Sequence, residues 1–343
     1  MSLKKIFLPT LLFILSYTVN AQYTEVINSN RPGVSRSAFA VGTNVAQIEI
    51  GPYTVKEKHS PLKYDVSGFG IDFAARYGLL LPELELNIEG AYQSDTFTDN
   101  RSSIPSENKR SNFKNLTIGA KYLVYDPYKN AEEEKPNLYS YHANKKFKWK
   151  SLIPAVSVYL GANFDTKDNP YTAPDVEGFS PKVIVATQNN FASGWVMVLN
   201  LIKDRIGSEY SDFQYILTLT KAINQNVVLF GETQGIKSDF YADNLFRFGG
   251  AYLWGKDLQL DTALTFNTKD TPSVFSINFG VSYRLDFHED AKPDNGVSAE
   301  EEAERKASKK RKKNKKDKKK GGDSGDDKKQ KKEVQEIDFD DED

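Results

Sequence analysis

Residues 273–296 read "SVFSINFGVSYRLDFHEDAKPDNG". Phe275, Ile277, Phe279, Val281, Tyr283, Leu285 and Phe287 take alternate positions, with Ser276, Asn278, Gly280, Ser282, Arg284 and Asp286 between them. Side chains of a strand point to opposite faces with period two, so this is a strand with one apolar and one polar face. In a soluble sandwich the apolar face packs on a core. In a membrane barrel it meets lipid, and the polar face lines a lumen. The strand alone fits both.

The start of the chain narrows the choice. Lys4 and Lys5 precede an apolar stretch from Ile6 to about Val19, and Val19, Asn20 and Ala21 form a small-residue cleavage pattern. This is the pattern of a secretory signal peptide over residues 1–21. Pro9 interrupts the stretch, which is shorter than the roughly 18 to 20 apolar residues of a membrane helix. The chain has no cysteine, which excludes a disulfide framework, a lipoprotein thiol and thiolate metal sites. Lys and Arg number 46 against 47 Asp and Glu, an even balance that hides an uneven tail. No later stretch reaches helix-spanning length, so a membrane-borne chain of this kind has to be a closed barrel.

Residues 22–44 are polar and carry "NSNRPGVSRS", the character of a lead-in segment. Alternation then begins at Ala46, Ile48 and Ile50, continues at Phe69, Ile71 and Phe73, and resumes after a tight turn at Leu81 and Pro82 with Leu84, Leu86 and Ile88. The polar residues 94–111 read as a long loop before Leu116, Ile118 and Ala120. Further strands are expected over residues 152–164, 179–189, 195–203, 213–221, 227–236, 245–254, 258–267 and 273–287. The expectation is an all-β fold, a transmembrane antiparallel barrel of about 12 strands over residues 45–287, with both ends in the periplasm. Connections at 190–194, 223–226 and 255–257 fit periplasmic turns. Residues 126–150 are long for that side and read as a periplasmic excursion; a count wrong by one hairpin is the other reading.

In this order, "NRPGVSRSAFAVGTNVAQIEIG", "FAARYGLLLPELELNIEGAY", "NLTIGAKYLVYD", "VVLFGETQG", "LQLDTALTF" and "FGVSYRL" resemble the landmarks of an outer-membrane family labelled "MetA pathway of phenol degradation". The resemblance implies an outer-membrane barrel that transports small, often hydrophobic compounds. The long 126–150 segment and the charged tail depart from a plain member.

His59, His142 and His288 fall in a loop, a turn and just past the last strand. His59 and Ser60 are adjacent but lack an orienting partner, so the serine–histidine chemistry of a barrel phospholipase is not expected, nor is a metal site or a cofactor. The inward positions carry more. Glu49, Arg76, Glu83, Glu85, Lys121, Asp261, Arg284 and Asp286 are expected inside the barrel near the periplasmic strand ends, joined by Arg31 from the lead-in. Both signs are present, so the set reads as a girdle that pairs internally and ties down an entering segment, narrowing or plugging the mouth, or as plain lumen salt bridging. Glu232 is ambiguous because both faces of its strand are mixed. Trp149, Trp195 and Trp254 are expected at periplasmic strand ends, at headgroup level.

Residues 288–343 have almost no apolar residue and are expected to be a disordered tail, basic over 305–320 and acidic over 333–343. In the periplasm the basic run suits an anionic partner, not nucleic acid. Outer-membrane lipid, and barrel-insertion machinery reading the terminal strand through Phe287, complete the expected partners. The expected function is a passive channel for small solutes; the alternative is a non-conducting accessory barrel of an envelope complex, docking through its tail.

Overall fold

The computed structural model describes residues 26–129, 149–173 and 176–287. The signal peptide, residues 130–148 of the excursion and the charged tail lie outside the described residues. Twelve strands follow in chain order: β1 Val45–His59, β2 Tyr64–Gly78, β3 Leu84–Asp99, β4 Ser106–Tyr125, β5 Ala155–Asp165, β6 Gly178–Phe191, β7 Trp195–Asp204, β8 Asp212–Ala222, β9 Val227–Lys237, β10 Ala242–Trp254, β11 Leu258–Asn267 and β12 Ser273–Asp286. Each pairs antiparallel with its chain neighbours, and β12 closes on β1 through Val45↔Asp286 and Gln47↔Arg284. The end at which β1 begins and β12 finishes is here the terminal end; the opposite one is the far end.

The alternation in the sequence becomes an inside-out distribution. On β12, Phe279, Val281 and Tyr283 are exposed while Ser282 and Arg284 are buried; on β11, Leu260 and Leu264 are exposed while Gln259, Asp261 and Thr265 are buried. A water-soluble sandwich would reverse both sets. The 10 residues of β11 span roughly 34 Å of strand, and a tilt of about 40° leaves about 26 Å along the axis, matching an apolar band of about 25 Å.

Strands β1 to β4 are taller, with 15, 15, 16 and 20 residues. The expected long loop over residues 94–111 is for the most part strand: β3 runs to Asp99, β4 starts at Ser106, and only residues 100–105 connect them. Polar side chains there follow from position, because the two strands continue past the apolar band into water. β5 pairs with β4 only from Thr117↔Asn163 downward, leaving the upper half of β4 as an edge. Glu107, Lys109 and Arg110 charge that edge. The β5–β6 connection covers part of it, with Asn169 Nδ2 donating to the Phe113 carbonyl at 2.7 Å and Tyr171 Oη to that of Arg110 at 3.2 Å.

The connection between β4 and β5 stands at the terminal end, so the strand count needs no extra hairpin. Trp195 and Trp254 sit at the same end, 40% and 67% exposed. Trp149 opens a short 3-10 turn, Trp149–Leu152, inside the connection rather than ending a strand. Among the described residues no helix is long and apolar enough to cross a membrane.

Candidate functional site

The lead-in does not lie outside the barrel. Residues 26–44 run through the lumen, where Ser35, Arg36, Ser37, Ala38 and Val41 are all buried. A polar segment inside a barrel has to find partners for each backbone group it removes from water. The inward polar side chains of the strands supply them around most of the circumference.

The terminal-end mouth is held by four of the expected residues acting as one network. Arg76 on β2 forms a two-pronged ion pair with Glu85 on β3, Nε and Nη2 each donating at 2.9 Å, and approaches Glu49 on β1 at 3.4 Å. Lys121 on β4 approaches Glu85 at 3.3 Å. Each also grips the lead-in. Arg76 donates to the Asn28 carbonyl at 2.6 Å, Lys121 to those of Ser37 and Phe39 at 3.0 and 2.8 Å. Glu85 accepts from the Val41 amide at 3.1 Å and Glu49 from that of Asn30 at 3.3 Å.

Arg31 crosses to the other side of the barrel. Its side chain pairs with Asp261 on β11 at 3.3 Å and donates to the Phe279 carbonyl on β12 at 3.0 Å. Gly51 and Gly280 leave the space its guanidinium fills; a Cβ on either would fall on it. The remaining expected residues are Glu83, Arg284 and Asp286. Glu83 is in the β2–β3 turn, not on a strand, and is 3.9 Å from Lys129. Arg284 pairs with Asp286 at 3.1 Å; Arg284 is buried and Asp286, on the same face of β12, is the more exposed of the two at the strand end.

The tightest holds on the middle of the segment come from residues that sequence reading left out or left open. Glu232 on β9 accepts from the amides of Val34 and Ser35 at 3.2 Å, from Thr218 Oγ1 at 2.7 Å and from Arg247 at 3.0 Å. Gly33 passes so close that a Cβ there would meet Glu232 Oε2. Asn200 on β7 works like a piece of adjoining strand: its Oδ1 accepts from the Arg36 amide at 2.6 Å and its Nδ2 donates to the Arg36 carbonyl at 2.9 Å. Gln188 on β6 accepts from Ser37 Oγ at 2.8 Å. The Arg36 guanidinium pairs with Glu89 and lies 3.9 Å over the Tyr159 ring. The signal available beforehand was parity, since Glu89, Gln188, Asn200 and Glu232 all occupy inward positions of their strands.

Above the lead-in is a cavity of about 540 Å³, floored by Asn30, Arg31, Gly33, Val34 and Arg36. Ile184, Ile202 and Ile216 line one side; Asp72, Lys114 and Asn115 line another. Lys114 is the extra residue of a bulge, since Ala91 pairs with Asn115 and Tyr92 with Phe113. Tyr171, on the β5–β6 connection, also lines the cavity and donates to the Gln93 carbonyl at 3.1 Å. Burial, reinforced by the Asp95 carboxylate, pushes the Tyr171 hydroxyl up to about 12, so it remains a neutral donor at physiological pH. No group of three metal-ligating side chains occurs among the described residues.

A family model described as putative MetA-pathway of phenol degradation matches residues 29–285. Among solved structures, the chain is similar to the COG4313 outer membrane channel from Pseudomonas putida F1, with 12% identity, 76% of this chain and 100% of that chain covered and a TM-score of 0.49. It is also similar to the TodX monoaromatic hydrocarbon channel deltaS2 mutant, with 12% identity, coverage of 73% and 92% and a TM-score of 0.42. For the KdgM porin in complex with disordered oligogalacturonate the values are 10%, 70% and 99%, and 0.42. No curated protein matches the sequence.

Proposed function

Because the chain belongs to the family described as putative MetA-pathway of phenol degradation, we propose that it is an outer-membrane barrel through which small solutes, hydrophobic ones included, pass passively, a conduit rather than a catalyst. Its termini lie in the periplasm. The observation that carries this reading is the lumen itself: a closed wall, apolar outside and polar inside, with a cavity of about 540 Å³ whose floor is the chain's own lead-in segment. A solute moving end to end has to pass that floor. The network of Arg76, Glu85, Glu49 and Lys121, with Arg31 and Asp261, therefore acts as the latch of a gate, and passage requires residues 26–43 to shift.

Single-channel conductance in planar bilayers tests this. The full chain is expected to show small or rare steps, and a variant lacking residues 26–41 large and persistent ones. If the deletion variant stays silent while heat-modifiable gel mobility shows a folded barrel, the channel reading fails. The depth to which the lead-in is bonded favours a second reading, a non-conducting barrel that anchors an envelope complex through an anionic periplasmic partner of the Lys-rich tail. Co-purification of that partner with the full chain, and its loss on deleting residues 290–343, would select this reading. Membrane lipid around the wall and the insertion machinery at the last strand are partners in either case; nucleic acid is not.

A further inference from the structure

The outer wall carries a feature that neither the lumen nor the lipid-facing band accounts for. At the far end, Val183 on β6 stands opposite Lys203 on β7, Lys203 opposite Phe213 on β8, Phe213 opposite Lys237 on β9, and Lys237 opposite Ala242 on β10. Ile202 and Asp204 flank Lys203 in the chain and are buried, so Lys203 points outward. Lys237 is exposed and Phe213 is 46% exposed. Two lysines thus straddle one phenylalanine on the outer surface. Strand spacing puts their backbones about 10 Å apart.

The setting on the barrel says what reaches them. One step toward the membrane, Leu201 and Tyr215 are exposed on the same face. One step the other way, Phe240 is 69% exposed and its ring packs on Tyr210 with centroids 5.0 Å apart. The lysines therefore stand where the apolar band ends, continuous with the surface that meets acyl chains. Neither side chain has a hydrogen bond or ion pair with a described residue. Asp239, exposed on the β9–β10 hairpin, is the nearest acid in the chain to Lys237 and is not paired with it. Uncompensated basic side chains at this depth attract anionic headgroups.

We propose that Lys203, Phe213 and Lys237 form a docking site on the outer wall for the phosphorylated headgroup of a glycolipid of the outer leaflet. The two lysines bind phosphates on either side while Phe213, Leu201 and Tyr215 carry the acyl chains. The spacing of the charges selects a wide headgroup bearing two phosphates over a phospholipid with one. This inference rests on the outer-membrane reading with the far end outward.

The test is lipid retention by the purified full chain in mild detergent, read by native mass spectrometry. The probes are a bisphosphorylated lipid A, its monophosphorylated form and phosphatidylglycerol. The bisphosphorylated lipid is expected to bind most tightly, and a Lys203→Gln, Lys237→Gln variant to lose about tenfold or more of that affinity. Gel mobility shows that both proteins hold a folded barrel. Equal binding by wild type and variant, or equal retention of phosphatidylglycerol, overturns the site. Conductance is expected to be the same in both proteins, so a silent channel bears on the transport reading and not on this one. Orientation is read separately, by labelling an Ile104→Cys variant on intact cells.

Discussion

Glu232 holds the middle of the lead-in by charge, and charge-assisted hydrogen bonds of this kind contribute about 1.5–3 kcal/mol each. Glu232→Gln keeps the shape but weakens the bonds to Val34 and Ser35 and leaves Arg247 without its ion pair. Amide hydrogen exchange at Val34 and Ser35 is expected to quicken by about tenfold or more, while exchange in the strands stays as it was; unchanged amides would show that the carboxylate is not the anchor. Gly33→Ala reaches the same contact sterically, because a Cβ at this position meets Glu232 Oε2. Arg76 differs in kind. Replacing it by Met leaves Glu49 without an ion-pair partner and Glu85 with Lys121 alone, a loss of about 3–5 kcal/mol. Arg76→Gln and Glu85→Gln are expected to be coupled, the double variant losing less than the two single losses together, by the temperature at which gel mobility shifts. Additive losses would contradict the pairing.

At the scale of elements, the strands were legible because lipid and lumen impose opposite chemistries on alternate residues. Phe279, Val281 and Tyr283 against Ser282 and Arg284 already specify a wall with two solvents. The pattern fades where both faces meet water, which is why the upper parts of β3 and β4 read as a loop: Ser94, Thr96 and Thr98 alternate with Asp95 and Phe97 without an apolar side. The girdle was readable for the same reason as the strands. Glu49, Arg76, Glu85 and Lys121 share parity near one end, and opposite charges at that density inside a barrel have to meet. What parity does not show is how far the tied-down segment runs. Mixed charges at the mouth read as holding an entering segment, but nothing in the strands says that it continues across the lumen, so its uncharged partners Asn200 and Gln188 were missed. Residues 26–43 have no periodicity of their own because their partners are supplied by the wall. The measurement at this scale is conductance after removing residues 26–41, where opening is expected and the barrel is expected to remain closed by its β1–β12 seam.

For the whole molecule, orientation is the property most open to direct test. The chain has no cysteine, so single introduced thiols report without background. Ile104→Cys, in the β3–β4 hairpin at the far end, is expected to react with a membrane-impermeant reagent on intact cells; a cysteine at Trp254, at the terminal end, is expected to react only after the outer membrane is opened. The reverse pattern would place the termini outside. The wall is lopsided as well, with β1 to β4 rising above the band on one side and the lysine pair of β7 and β9 at its edge on another. The lead-in has one more consequence. It joins β1 directly, its last residue, Asn44, donating to the Gly78 carbonyl at 3.0 Å, so it is a ligand tethered within reach of its own receptor. A short tether corresponds to an effective concentration in the millimolar range. Reclosure is then a first-order event independent of how much protein is present, and a free peptide of residues 26–43 should silence the deletion variant only when supplied at about millimolar concentration.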